Sequence, residues 1–379
     1  MCQAASTFVY VGSYTVERSQ GDRFVPVQAA KGIRVFCVDP ESGTWNLVQE
    51  IKQLNPMYLL WGKDKKTLYA ASSDSNKVYA YRVCGTTGML SLLGEQEIVG
   101  RSTLCLSVTK DYSFLIVGTI SGAMASIRLN EDGSLGEVCD NFDLPGEPGP
   151  LRDEQPCPRP HHCPFDPDGK YCYVLDKGAD LVRGYTVDRE SGKMEQVSIL
   201  QTRPGSIPRH IVFNTDGSRA YINTEHNCTV ISCRRDRITG KLEAFQILPT
   251  IPEDFVGTYS LSSEIILHPS GKWLYVSNRG HNSIAIFSVD QESGRLTTVG
   301  WQSTLGEIPR FFDIEPGGKF LCVANQKDST IKIFRIDERT GMLSFTGRTI
   351  ETPTPVWLLF SGPLLVPHSS RANSLETCR

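Results

Sequence analysis

A chain of 379 residues, 40% hydrophobic and 21% charged, has ordinary globular composition and ample length for a buried core. A net charge of −3 argues against nucleic acid as the main partner, because a phosphate backbone demands a clustered basic surface. No apolar run approaches the roughly 20 residues that span a bilayer, so no membrane partner is expected.

The opening residues lack the basic and long apolar regions of a secretory signal. The twelve cysteines are therefore expected to be reduced thiols in the cytoplasm. Cys37, Cys105, Cys172, Cys228, Cys233 and Cys322 fall in predicted strands, where a thiol packs as a small hydrophobe. There is no Cys-x-x-Cys pair, and neither a metal nor another cofactor is expected.

In chain order the sequence alternates strands of about 4–8 residues with Asp-Gly, Ser-Gly or Pro-Gly turns, and no segment sustains a helical period. The clearest unit spans residues 265–296. It runs through Ile265-Ile266-Leu267, a turn at Pro269-Ser270-Gly271, Trp273-Leu274-Tyr275-Val276-Ser277, Ser283-Ile284-Ala285-Ile286-Phe287 and the hairpin Glu292-Ser293-Gly294. That outer hairpin recurs seven times, at Gly43, Gly88, Gly133, Gly192, Gly240, Gly294 and Gly341. The inner turn recurs only six times, near Asp64, Asp111, Asp168, Asp216, Ser270 and Gly317.

The chain starts partway through a unit, at Phe8-Val9-Tyr10-Val11-Gly12, and ends on the front of one, Pro355-Val356-Trp357-Leu358-Leu359-Phe360. Together the fragments make one unit. The pattern predicts an all-β chain, a single seven-bladed β-propeller over residues 8–360 with four-stranded antiparallel blades. The C-terminal strand is expected to close the ring by completing the N-terminal blade, which removes exposed sheet edges. Residues 21–30 and 144–160 are expected to be loops, and residues 361–379 a disordered polar tail.

Innermost propeller strands line a central channel, and loops at one mouth carry function. Superposing the units gives two columns there. The first holds Met57, Leu104, His161, Arg209, Ser263, Arg310 and Val356; the second holds Tyr14, Ser73, Thr119, Lys177, Glu225, Arg279 and Gln326. The second column reads as polar in every unit. A strand position that meets a neighbouring blade should be apolar, so unlike polar residues converging on one axis define a candidate site. A merely solvated rim is the plain alternative. His161 and Glu225 are the acid/base candidates. Arg209, Arg279 and Arg310 suit a carboxylate, a phosphate or a developing oxyanion. Lys177, Tyr14 and Gln326 complete the expected substrate-binding rim. His162 and His210 are expected to pack against the next blade, and Asp176, Asn278 and Asn325 to cap strand-end backbone. Glu264 and Asp313 lie on inner strands with no assigned part. Neither a Gly-x-Ser-x-Gly elbow nor a phosphate loop occurs.

At Pro160-His161, Phe165-Asp166-Pro167-Asp168-Gly169, Pro208-Arg209-His210, Thr224-Glu225, residues 274–281 and Pro309-Arg310-Phe311 the chain resembles the seven-bladed propeller lactonases. These include a bacterial type of 6-phosphogluconolactonase and the fungal 3-carboxy-cis,cis-muconate lactonizing enzyme. The resemblance implies metal-independent chemistry at a lactone, with His161, Arg209, Glu225 and Arg279 as its site residues. For the hydrolase it implies 6-phosphogluconolactone as substrate and a place in the pentose phosphate pathway. Many members carry Glu where this chain has Ser73, and Asn-Tyr where it has Gly118-Thr119. Three functions follow as expectations: hydrolysis of an anionic sugar lactone, lactonizing isomerisation of a carboxylated muconate, or a propeller that only binds. Oligomeric state is not legible.

Overall fold

A computed structural model describes residues 7–15, 18–20, 23–25 and 30–364. It contains seven four-stranded antiparallel sheets and one short hairpin, Arg18–Gln20 with Arg23–Val25. Among the described residues the only helix is the 3-10 turn Lys63–Lys65. The innermost strands of blades 2 to 7 are Pro56–Trp61, Thr103–Val108, Pro160–His162, Pro208–Phe213, Leu261–Leu267 and Pro309–Ile314. That of blade 1 is Pro355–Phe360, paired antiparallel with Thr7–Ser13. Each inner strand packs on the next, and Pro355–Phe360 touches both Pro309–Ile314 and Pro56–Trp61, so the circle is complete. The expected ring closure is borne out.

Second strands, sandwiched between blades on both faces, are mostly apolar, and are buried throughout in Thr67–Ser72 and Phe320–Asn325. Fourth strands such as Trp45–Lys52 are mostly wet. The seven hairpin glycines all hold φ between +68° and +82°, the left-handed conformation that glycine adopts without steric cost. Their carbonyls are used across the seams. Tyr10, Tyr69, Tyr173, Tyr221 and Tyr275 donate their hydroxyls to Gly88, Gly133, Gly240, Gly294 and Gly341 of the following blade, at 2.8–3.0 Å. Ser126 does the same for Gly192 at 2.6 Å. At the corresponding place in blade 7 the sequence has Cys322.

Residues 144–159 form the expected loop, and it is tied down. Gln155 donates to the Lys177 carbonyl at 2.9 Å, Gly149 N–H to Gly178 O at 2.8 Å, and Arg159 N–H to Asp176 Oδ1 at 2.7 Å. A Cβ at Gly178 would lie 1.8 Å from the Cys157 carbonyl, so glycine is required where the loop crosses. Residues 361–364, expected as tail, continue the fold. Ser361 Oγ accepts from Phe8 N–H at 2.8 Å, and buried Leu364 donates its N–H to Glu315 at 3.0 Å. The rest of that tail, and most of the expected loop at 21–30, lies outside the described residues. The ten cysteines among the described residues are free, and Cys228 sits in a turn before its strand, with φ +48°, rather than inside it.

Candidate active site

The first column is built by one repeated device. In each blade the pairing register of the inner strand slips where the column residue sits: at Pro56/Tyr58, Thr103/Cys105, Pro160/His162, Pro208/His210, Ser262/Ile265 and Pro309/Phe311, and opposite Gly12/Ser13 in blade 1. Such a bulge leaves one residue unpaired, or two in blade 6 (Ser263 and Glu264), and re-aims the side chain. Met57, Leu104, His161, Arg209, Ser263, Arg310 and Val356 occupy those bulges. Most of them border a single axial cavity with Tyr58, His210, Phe311 and Trp357. Ile207 and Ile308, two residues before Arg209 and Arg310, hold φ of +57° and +58°. For a β-branched residue that costs about 1–3 kcal/mol, sustained by the surrounding ring.

The second column follows the second strand. In blades 1, 2, 4, 5 and 7 its N–H groups on Tyr14, Ser73, Lys177, Glu225 and Gln326 bond the carbonyl just before the inner strand. In blade 3 that bond is made by Ile120, to Ser102 at 2.9 Å, while Thr119 pairs with Thr103 one step earlier. The column therefore holds Ile120 in place of Thr119, and it is not polar throughout. Ile120 packs against Tyr14, Met57, Leu104 and Val356 as an apolar cluster.

The charged residues converge on the other side. Glu225 Oε1 accepts from Arg279 Nη2 at 2.8 Å; Glu225 Oε2 lies 3.0 Å from Lys177 Nζ and 3.6 Å from Arg209 Nε. All four side chains are nearly or fully buried. Burial alone would raise the Glu225 pKa, but Lys177, then Arg279 and Arg209, outweigh it and hold the carboxyl well below its usual range. Burial lowers Lys177 against the pull of Glu225. Arg209 is drawn down to about 9 by burial and the Arg279 charge, which still leaves it protonated at neutral pH. His161 is held well below 6.5 by burial and then by Arg209, so its imidazole is neutral. His161 Nδ1, Arg209 Nε, Arg279 Nε and Gln326 Oε1 are buried without hydrogen-bond partners. Arg310 sits 5.3 Å over the Tyr14 ring, bridging the two sides.

Of the sequence-predicted residues, His161, Arg209 and Arg310 border the cavity; Glu225, Arg279 and Lys177 are joined to Arg209 by ion pairs, Tyr14 lies under Arg310, and Gln326 holds the equivalent strand-end position of blade 7. Asp176, Asn278 and Asn325 cap backbone as expected. Asp176 Oδ1 accepts from Gly178 and Ala179 N–H groups, and Asn278 and Asn325 donate to Thr250 and Thr304 carbonyls. Sequence reasoning missed how much of the pocket the next layer builds. Trp357 stacks between Tyr58 and Phe311, with ring centroids 4.0 and 4.1 Å away, and His162 lies 4.5 Å from His210. These residues immediately follow the bulges, and that spacing is the signal that would have found them.

The family described as Lactonase, 7-bladed beta-propeller, matches residues 8–360. The chain belongs to that family. It is 32% identical over 307 residues to the 6-phosphogluconolactonase of Bacillus subtilis strain 168, covering 80% of this chain and 83% of the relative. It is 29% identical over 318 residues to that of Formosa agariphila, covering 81% and 86%. Among solved structures, the periplasmic gluconolactonase PpgL of Pseudomonas aeruginosa superposes with a TM-score of 0.85 at 27% identity, over 96% of this chain and 100% of that one.

Proposed function

We propose that the protein is a lactone hydrolase acting on an anionic sugar lactone, 6-phosphogluconolactone to 6-phosphogluconate. The observation that carries this reading is a neutral His161 imidazole sharing an axial cavity with Arg209, whose guanidinium, with Lys177 and Arg279, surrounds the Glu225 carboxylate and keeps a buried Nε–H without a hydrogen-bond partner. The relatives named 6-phosphogluconolactonase support the substrate.

Glu225 is a poor base, since its charge is committed to Lys177, Arg209 and Arg279. Its part is to hold those cations in place. His161 Nδ1 takes a proton from water as the water oxygen adds to the lactone carbonyl carbon. Negative charge develops on the carbonyl oxygen, and the Nε–H groups of Arg209 and Arg279 receive it. The adduct collapses with cleavage of the bond from that carbon to the ring oxygen. Protonated His161 returns the proton to the ring oxygen, which leaves as a hydroxyl. The new acid ionises, releasing one proton per turnover. Arg310 and Lys177 bind the substrate's phosphate. No metal is assigned to these steps: the oxygens of Glu225 are taken, and three adjacent cations repel a divalent ion.

The guanidinium edges suit carboxylates equally well, so a carboxylated muconate undergoing lactonizing isomerisation is the second reading. Turnover of fresh 6-phosphogluconolactone against a muconate panel separates the two. A wild type indistinguishable from Glu225→Gln and His161→Ala, all at the spontaneous rate on every substrate, would leave only a binding propeller. We place the protein in the cytoplasm, in the pentose phosphate pathway. The ten free thiols among the described residues suit a reducing compartment, and subcellular fractionation tests this against the periplasmic location of the Pseudomonas relative.

A further inference from the structure

Beneath the mouth, one buried pair of titratable groups has no part in the steps above. His210 is on the inner strand of blade 5, and Glu264 is on that of blade 6. His210 Nδ1 lies 2.7 Å from Glu264 Oε1, and His210 Nε2 lies 3.3 Å from Arg209 Nη1. A guanidinium has only donors, so Nε2 must be the bare nitrogen. The ring proton is therefore on Nδ1 and is donated to Glu264. The same Oε1 accepts Ile265 N–H at 2.9 Å, which fixes the carboxylate, and Glu264 N–H is in turn held by Ser277 Oγ at 3.0 Å.

The chain of contacts ends on Arg209. Its Nη1 is held both by His210 and by the Ser263 carbonyl. Asn223 Nδ2 secures that carbonyl at 3.0 Å, and Asn223 Oδ1 accepts His210 N–H at 3.0 Å. With one end of the guanidinium tied into the seam, its buried Nε–H edge is left without a hydrogen-bond partner, 3.6 Å from Glu225. We propose that Glu264 and His210 are positioning residues that clamp the Arg209 guanidinium through its Nη1, so that Nε–H is presented to the oxygen that becomes negative when the lactone is attacked. This rests on the hydrolase reading. The pair touches no substrate; it acts through Arg209. Its environment agrees. Burial keeps His210 neutral, and the Arg209 charge adds to that effect. Burial raises Glu264 to about 7, against the opposing charges of Arg209 and His162.

The test pairs kinetics with a direct reading of the tautomer. Glu264→Gln keeps an acceptor oxygen for both Nδ1–H and Ile265 N–H, and should hold kcat within about threefold. Glu264→Leu removes the acceptor and should lower kcat by about 10–100-fold, the scale of a misplaced catalytic group, with KM changed far less. Thermal unfolding of both variants reports whether they fold. In 15N-histidine-labelled wild-type protein, long-range nitrogen–proton spectra should show His210 as the neutral Nδ1–H form at pH 7.5. Equal losses in the Gln and Leu variants, or an unchanged kcat in a folded Leu variant, would overturn the proposal. So would a His210 protonated on Nε2 or on both nitrogens, whatever the kinetics show. A wild type without lactonase turnover ends the hydrolase reading and the catalytic half of this proposal with it; the tautomer then decides the tie to Arg209 alone.

Discussion

The two halves of the channel mouth share one backbone and differ in almost every side chain. In blades 1 to 3 the bulge and strand-end positions carry Val356, Met57, Leu104, Tyr14, Ser73 and Ile120, a largely apolar cluster. In blades 4 to 7 the same positions carry His161, Arg209, Ser263, Arg310, Lys177, Glu225, Arg279 and Gln326. The difference teaches that the bulge supplies aim and the residue supplies chemistry. Seven equivalent bulges deliver side chains to one axis, yet only one arc is charged. On the proposed reading, a substrate held there would set its anionic and reacting groups against blades 4 to 7 and its carbon face against blades 1 to 3.

The largest effect expected is in the charged arc. Glu225→Gln leaves Lys177, Arg209 and Arg279 without their shared counter-ion. Breaking a buried ion pair costs about 3–5 kcal/mol, so both unfolding midpoint and turnover should drop sharply; a variant as active and stable as wild type would dissolve the distinction between the arcs. His161→Ala should cost turnover about 100- to 10,000-fold while leaving the denaturant midpoint nearly unmoved. Swapping character across the mouth comes next. Leu104→Arg buries a fourth guanidinium among apolar neighbours and should destabilise by about 2–4 kcal/mol. Arg310→Leu should fold but raise KM for the phosphorylated lactone about tenfold, and that increase should shrink as salt is added.

Acid sharpens the comparison from another side. His161, His162, His210 and His281 are held below their ordinary value, chiefly by burial, so unfolding lets them take up protons below about pH 6.5. Glu264 and Asp313 are raised by burial and bind protons more readily when folded. The balance is an uptake of about one to two protons on unfolding near pH 5.5. Stability should therefore fall as pH drops from 6.5 to 5, by roughly 1–3 kcal/mol per unit, measured by urea titration at each pH. Turnover should hold down past pH 6.5, because His161 remains a free base there. The smallest effect belongs to the seams. Tyr275→Phe removes the hydroxyl donated to the buried Gly341 carbonyl, costing about 1 kcal/mol, with kcat unchanged.

The propeller was legible because the hairpin glycine and the inner turn recur in register, and because the split unit at the two ends could only be healed by closure. The charged arc was legible too, since a histidine, a glutamate and three arginines interrupt positions that should otherwise be apolar. Blade 3 was misaligned by one residue. Its inner strand lacks the proline that marks Pro56, Pro160, Pro208, Pro309 and Pro355, and Ile120 looks like strand interior when judged by type alone. The cross-seam geometry was not legible. Which cation meets Glu225, or that His210 reaches both Glu264 and Arg209, depends on how neighbouring blades lean toward the axis, and spacing along one chain does not encode that.

The strand Pro355–Phe360 is also the last of the described strands to leave the ribosome, although it occupies the first blade and carries Trp357 into the pocket floor. Blades 2 to 7 are each assembled from neighbouring hairpins and can form early; the remaining blade needs a contact between segments roughly the whole chain apart, and such long-range contacts form slowly. Until that strand docks, blade 1 is a three-stranded sheet, the ring has an open gap and the cavity lacks Val356 and Trp357, so the site is completed only when Pro355–Phe360 meets Thr7–Ser13.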